Sequence, residues 1–259
     1  MADKIDPKKE IASCWNGNAE SYDSRYGHGL KSTAEEIAWK EMLRKLTGET
    51  PLDILDVGTG TGFLAILLAE LGHKVTGIDL SEGMMAKGKE KAAAKNLQIQ
   101  FLLGDAENLP KEFAGKFDMV INRHLLWTLL EPEKALAEWN RVLKPGGRVA
   151  IIDGNWAEQS SSAKVRKLLG RVVIMLTEFT NPWKQKRSYS DELQQMLPMR
   201  QGDNRNKTVE ILKSCGYDEI EVTYLTEIDR VESKSMPLGQ RLANYYRRHM
   251  IVGRKRASD

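Results

Sequence analysis

The sequence predicts an α/β protein: a mostly parallel sheet with helices packed on both of its faces. Two observations predict it. Residues 52–63 begin as a near-continuous apolar run (Ile54, Leu55, Val57), turn through Gly58, Gly60 and Gly62, and pass into a helical stretch over residues 64–71. A run without polar alternation is what a strand covered on both faces requires. The same rhythm of short apolar run and longer helical stretch then repeats as far as Asp153. Alternation of this kind implies right-handed crossovers, and therefore a binding edge at the carboxyl ends of the strands. Gly58, Asp79, Asp105 and Asn122 all fall at those ends.

The elements follow in order. Residues 1–30 are polar with interspersed aromatics. Asn16-Gly17-Asn18 and Tyr26-Gly27-His28-Gly29 read as loops. Ser32 or Thr33 caps a helix whose first turn carries Glu35 and Glu36, and Gly48 and Pro51 end it. After the glycine loop, residues 73–79 form a second strand. Ser81 caps a helix to about Lys95, and residues 97–103 form a third strand. Residues 116–121 are a fourth strand, and Pro132 opens a helix that runs to Leu143. Residues 144–147 make a sharp turn into a fifth strand over 148–153. Residues 155–205 break the rhythm, with a helix over about 160–179 and a short one over 190–197. They read as a helical lid over the mouth of the site. A helix over 208–215, stopped by Gly216, precedes a sixth strand over 219–225, and residues 249–253 could form a last one. The expected organisation is one domain: cap helices in 1–50, a binding core in 51–154, the lid in 155–205, and a C-terminal helix with the last strands in 206–259.

Glycines are needed where backbone turns tightly and lets a ligand approach. The helix start behind them offers unpaired N–H groups. A dinucleotide site wants Gly-x-Gly-x-x-Gly, or alanine in the third place. Counting from Gly58, the third place is Phe63, which would crowd a pyrophosphate. Asp56, two residues before the first glycine, suits a cationic amino group better than two phosphates. Asp79, 21 residues beyond Gly58, can accept from both hydroxyls of a ribose.

Composition narrows the partners. With 259 residues and 41% hydrophobic content, the chain suits one α/β domain with an insertion. A net charge of +3 argues little for nucleic acid. No apolar run is long enough to cross a membrane, and the N-terminus lacks the apolar core of a signal peptide. Cys14 and Cys215 show no metal or redox spacing, and the four histidines stand singly. A cytoplasmic protein without a metal site is therefore expected.

The ordered motifs 56–62, 77–81, 104–110, 117–120 and 143–147 together resemble those of class I S-adenosylmethionine-dependent methyltransferases, more narrowly the small-molecule group of the ubiquinone and menaquinone type. The resemblance implies a Rossmann-like, seven-stranded sheet with the last strand antiparallel. It also implies S-adenosylmethionine as cofactor and a small-molecule acceptor. Carried over residue by residue, Gly58, Thr59 and Gly60 belong to the cofactor loop, with Gly58 and Gly60 lying against the methionine moiety and Asp56 near its ammonium. Asp79 holds the ribose, and Leu80 packs on the adenine. Asp105 accepts from the adenine amino group beside the Ala106 backbone, and Asn122 faces the amino-acid end through its carbonyl. Tyr22 is the N-terminal aromatic that closes the site. The N-terminal segment departs from the quinone enzymes' pattern.

A hydroxyl acceptor needs a base. His124, at the end of the fourth strand, is the first candidate and His28 the second; the plainer reading is two hydrogen-bonded histidines. Trp127, Trp156 and Trp183 are candidates for an apolar acceptor pocket, against ordinary core packing. Arg123 and Arg200 could bind an acidic acceptor or pair with carboxylates. The basic stretch 241–256, with Tyr245 and Tyr246, could track RNA, although a solvated face fits the net charge better. Position 122 begins Asn-Arg-His-Leu, without the Asn/Asp-Pro-Pro-aromatic tetrapeptide of enzymes that methylate exocyclic base amines. The alternatives are an RNA or tRNA methyltransferase, a nicotinamide-dependent dehydrogenase, for which no Tyr-x-x-x-Lys is evident, and a non-catalytic cofactor-binding or regulatory protein.

Overall fold

The computed structural model describes residues 6–154, 161–179, 189–200, 204–244 and 247–256. Trp156 and Trp183 lie outside them, as do Tyr245 and Tyr246. Two helices, α1 (Pro7–Tyr22) and α2 (Thr33–Thr47), precede the core. The core runs β1 (Asp53–Val57), α3 (Phe63–Glu70), β2 (Lys74–Asp79), α4 (Glu82–Ala94), β3 (Gln100–Leu103), β4 (Phe117–Arg123), α5 (Pro132–Val142) and β5 (Leu143–Gly154). The inserted segment contributes α6 (Ser161–Glu178) and α7 (Asp191–Met196). The chain closes with α8 (Arg205–Ser214), β6 (Tyr217–Tyr224), α9 (Thr226–Ser235), α10 (Leu238–Ala243) and β7 (Arg248–Lys255).

The sheet has seven strands in the order β3-β2-β1-β4-β5-β7-β6. β7 runs antiparallel between β5 and β6, and the other pairings are parallel. This is the Rossmann-like class I methyltransferase fold. One face of the sheet (Leu55, Val57, Val120, Ile151) packs on Leu136 and Trp139 of α5 and on Ile211 and Leu212 of α8. The other (Ile54, Met119, Ile121, Ile152) packs on Trp39 and Leu43 of α2 and on Leu64, Leu67 and Leu68 of α3. Trp139 is fully buried, which is worth about 3 kcal/mol. Its indole N–H donates to the Ala106 carbonyl at 3.0 Å, so core packing also fixes the turn after β3.

Two local expectations are corrected. Asn16-Gly17-Asn18 is not a loop but the middle of α1. There the Asn18 side-chain amide donates back to the Cys14 carbonyl at 2.8 Å, and the Asn16 side-chain Oδ1 accepts from the Ser81 hydroxyl and the Gly83 N–H. Distant partners of Asn16 and the local back-bond of Asn18 to the preceding turn thus override the turn preference of these residues. Residues 144–147 do not separate an element from β5 but lie within it. Leu143 pairs with Phe117 and Arg148 with Met119, so the extra residues bulge out, with Gly146 at φ 71°.

Candidate cofactor and acceptor site

Gly58, Gly60 and Gly62 take φ of 68°, 54° and 75°, a region that costs other residues energy. A Cβ on Gly58 would stand 2.7 Å from a methyl of Leu125. The Gly58 and Thr59 N–H groups both donate to the Ile78 carbonyl, at 2.8 and 3.1 Å, which ties the loop to the end of β2. One Asp79 oxygen accepts from Gly60 N–H and the other from Ser81 N–H, each at 2.8 Å. Burial raises the Asp79 carboxyl above its usual range. The Leu80 N–H bonds the same carboxylate, which leaves it a lone-pair site for a ligand hydroxyl.

Asp56 sits beneath the loop. It accepts from the Thr59 hydroxyl at 2.7 Å and from the Ala65 N–H, and burial pushes its carboxyl up to about 7. Phe63, which would crowd a pyrophosphate, has a structural use. The Arg123 guanidinium lies 3.6 Å from its ring centroid and donates to the Gly27 and His28 carbonyls. Arg123 therefore clasps the N-terminal loop to the first turn of α3.

A cavity at the carboxyl edge gathers Tyr22, Gly58, Gly60, Asp79, Leu80, Asp105, Ala106, Arg123 and His124. Asp56, Thr59, Asn122 and Trp127 do not line it. Trp127 stands against Trp15 and Tyr189, with Arg200 5.7 Å from its ring. Asn122 is fully buried, and neither atom of its side-chain amide has a hydrogen-bond partner. Its backbone holds the β4–β5 register, opposite Ile151.

His124 has φ 60°, and its N–H donates to the Ile152 carbonyl at 2.9 Å. Burial, reinforced by Arg123 and then His28, holds its imidazole well below 6.5, so it is neutral at pH 7. The His28 ring lies 5.8 Å from it edge-on and 4.6 Å from the Tyr22 ring. Burial also raises the Tyr22 phenol pKa, with Arg123 opposing.

The roof comes from the segments outside the core. The Lys8 ammonium contacts Asp105 at 3.0 Å and Glu107 at 2.5 Å. Asp23 of the N-terminal segment accepts from the Thr61 hydroxyl and from Lys91. Trp15 donates to the Tyr189 hydroxyl at 2.8 Å, and Glu10 accepts from the Ser190 N–H and hydroxyl. Sequence reasoning missed Lys8, Ile11 and Trp15 as cavity residues. The signal was present: Asp6 caps the helix, Pro7 opens it, and Ile11, Trp15 and Tyr22 recur at helical spacing. The basic C-terminal stretch is largely occupied by protein partners: Arg248 by Asp229 and Glu232, Arg254 by Glu219, and Lys255 by two carbonyls.

A family model described as a methyltransferase domain matches residues 55–151. The chain is 39% identical over 127 residues to the demethylmenaquinone methyltransferase of Thermus thermophilus, covering 48% of this chain and 57% of that one. It is 38% identical over 96 residues to the ubiquinone biosynthesis O-methyltransferase of Nitrosococcus oceani, covering 37% and 41%. The chain thus spans less than two thirds of these relatives' length. Among solved structures, it superposes with a TM-score of 0.63 on Haemonchus contortus phosphoethanolamine N-methyltransferase 2 in complex with S-adenosyl-L-methionine, at 20% identity over 98% of this chain and 61% of that one. It superposes with a TM-score of 0.62 on a geranyl diphosphate methyltransferase in complex with its diphosphate and sinefungin, at 17% identity over 96% and 99%. At such identities the structures speak for the fold. Residues 55–151 thus match a methyltransferase domain, and over that core the chain is similar to the demethylmenaquinone and ubiquinone enzymes.

Proposed function

We propose that this protein transfers a methyl group from S-adenosylmethionine to a hydroxyl of a small-molecule acceptor, with His124 taking the hydroxyl proton. The observation that carries this reading is one cavity wall. It joins the left-handed glycines and two carboxylates on one side to a buried, neutral imidazole on the other.

The residues fit an adenosyl donor. Asp79 and Asp105 flank an apolar shelf that includes Leu80 and Met84, and the glycines leave the loop backbone bare of side chains. In the proposed assignment Asp79 takes the ribose hydroxyls, Asp105 and the Ala106 backbone the adenine edge, and Gly58, Gly60 and the Asn122 carbonyl the amino-acid end. Thr59 and Asp56 brace the loop from below, and Asp56 supplies negative potential toward an ammonium. When bound, the cofactor supplies a methyl already activated on a sulfonium. The protein then has to align the acceptor, exclude water and hold a proton. Tyr22 and the α1 roof exclude water. His124 is uncharged at neutral pH and can receive the proton of an attacking hydroxyl at an imidazole nitrogen. Trp127, Trp156 and Trp183 remain the proposed acceptor-side aromatics. The ion pairs of the C-terminal stretch support a small molecule over RNA, and Cys14 and Cys215, neither in a disulfide, support a cytoplasmic setting.

Calorimetric titration tests the donor half. S-adenosylmethionine and S-adenosylhomocysteine should bind wild type in the micromolar range, about −8 kcal/mol. Asp79→Ala should lose at least about a hundredfold. Binding of a nicotinamide dinucleotide instead would refute the assignment. For the acceptor half, a screen of hydroxylated acceptors should find turnover that His124→Asn lowers by about a hundredfold or more while donor affinity stays. Undiminished turnover would remove His124 from the chemistry.

A further inference from the structure

The inserted helix α6 carries two apolar faces, and only one is used. Its inner face packs on α10: a Cβ on Gly170 would overlap the backbone of Gly239 and Ala243, and one on Gly239 would overlap Ile174. The outer face presents Val165, Leu168, Val172, Met175 and Leu176, recurring every three or four residues, and Phe179 follows just beyond the last residue of the helix. Leu168 and Leu176 are more than half exposed, and Phe179 is 92% exposed. The stripe spans twelve residues of helix, Val165 to Leu176, about 18 Å at 1.5 Å per residue. A stripe of this size facing water marks an interaction surface.

The charges beside it are of one sign. Lys164, Lys167 and Arg171 lie on the same helix, Lys164 and Arg171 exposed and Lys167 half-buried. Its one carboxylate, Glu178, is bound by the Gln240 amide at 2.8 and 3.0 Å. A second copy docking on this face by two-fold symmetry would bring cations onto cations. An anionic lipid surface offers apolar depth for the stripe and negative headgroups for its rim. No helix among the described residues is long and apolar enough to cross a membrane, so the contact would be interfacial.

We infer that the outer face of α6 seats the protein on anionic membranes. The inference stands apart from the proposed chemistry. Flotation with vesicles of phosphatidylcholine alone, or with a third phosphatidylglycerol, tests it. Wild type should float with the anionic vesicles, bind the neutral ones about tenfold or more weakly, and be released by about 0.5 M salt. Leu168→Asp with Leu176→Asp, and separately Lys164→Glu with Arg171→Glu, should each abolish flotation while thermal unfolding matches wild type. Failure to float with anionic vesicles would overturn the inference, as would equal binding to both vesicle types. A dimer in light scattering that the leucine variants dissolve would assign the face to a second copy instead.

Discussion

The glycine loop and the roof above it border the same cavity, but different physics holds each in place. The loop is local. Its conformation comes from three glycines within five residues, and its anchors, Ile78 and Asp79, end the adjacent strand. The roof is assembled from afar. α1 reaches Asp105 through Lys8, Ser81 through Asn16 and Tyr189 through Trp15, across sequence separations of 97, 65 and 174. A local device is rigid wherever its strand is rigid. A roof tied by side chains can open one bond at a time, which is the character expected of a gate.

The contrast can be broken at several points. The largest effect is expected at Gly58. Gly58→Val places a β-branched side chain at φ 68° and against Leu125, so it should cost about 3 kcal/mol and abolish donor binding. Urea unfolding and calorimetry on one preparation would check both. Near wild-type stability would mean that the loop relaxes, and that its rigidity has been overstated.

The next effect concerns the wall where loop and roof meet. An unfolded chain protonates His124 near pH 6.5, whereas the folded chain does so only at lower pH. The stability this neutral histidine allows is therefore complete above pH 6.5 and is lost as pH falls from 6.5 toward the depressed pKa. Asparagine tolerates a left-handed backbone, so His124→Asn should keep the fold. It should remove up to about 1.4 kcal/mol of destabilisation per pH unit in that window. Unfolding curves at pH 7.5, 6.5 and 5.5 would reveal it; parallel wild-type and variant trends would mean that the wall is already solvated.

The smallest effect sharpens the picture of the roof. A double-mutant cycle of Trp15→Phe and Tyr189→Phe should give a coupling of about 1 kcal/mol, the worth of one hydrogen bond. Zero coupling would mean that α1 and the inserted segment move independently.

The same contrast explains what the sequence made legible. β1 to β5 and the loop could be read because apolar runs, glycines and caps act within a few residues; Ser32, Ser81 and Pro132 cap or open the helices expected of them. α1 was misread at Asn16-Gly17-Asn18 because the Asn16 side chain is satisfied by Ser81 and Gly83, far along the chain. α9 and α10 went unread: they sit between the last two strands, where the expected alternation had ended, and Gly239 in α10 is explained only by its contact with α6. Arg123 could be seen as a cation near the site, but its clasp on Phe63 depends on the register of α3 against β4.

The separation between α1 and its partners also bears on the chain's birth. α1 leaves the ribosome well before these partners, since Tyr189 and Ser190 follow Trp15 and Glu10 by more than 170 residues. At roughly 5–20 residues per second of synthesis, α1 waits on the order of ten seconds before those two partners exist. Through that interval Ile11 and Trp15 lack the Tyr189, Leu193 and Leu197 side chains they pack with. The nascent α1 is then a natural client for a chaperone, and the cavity can close only after the inserted segment has been made.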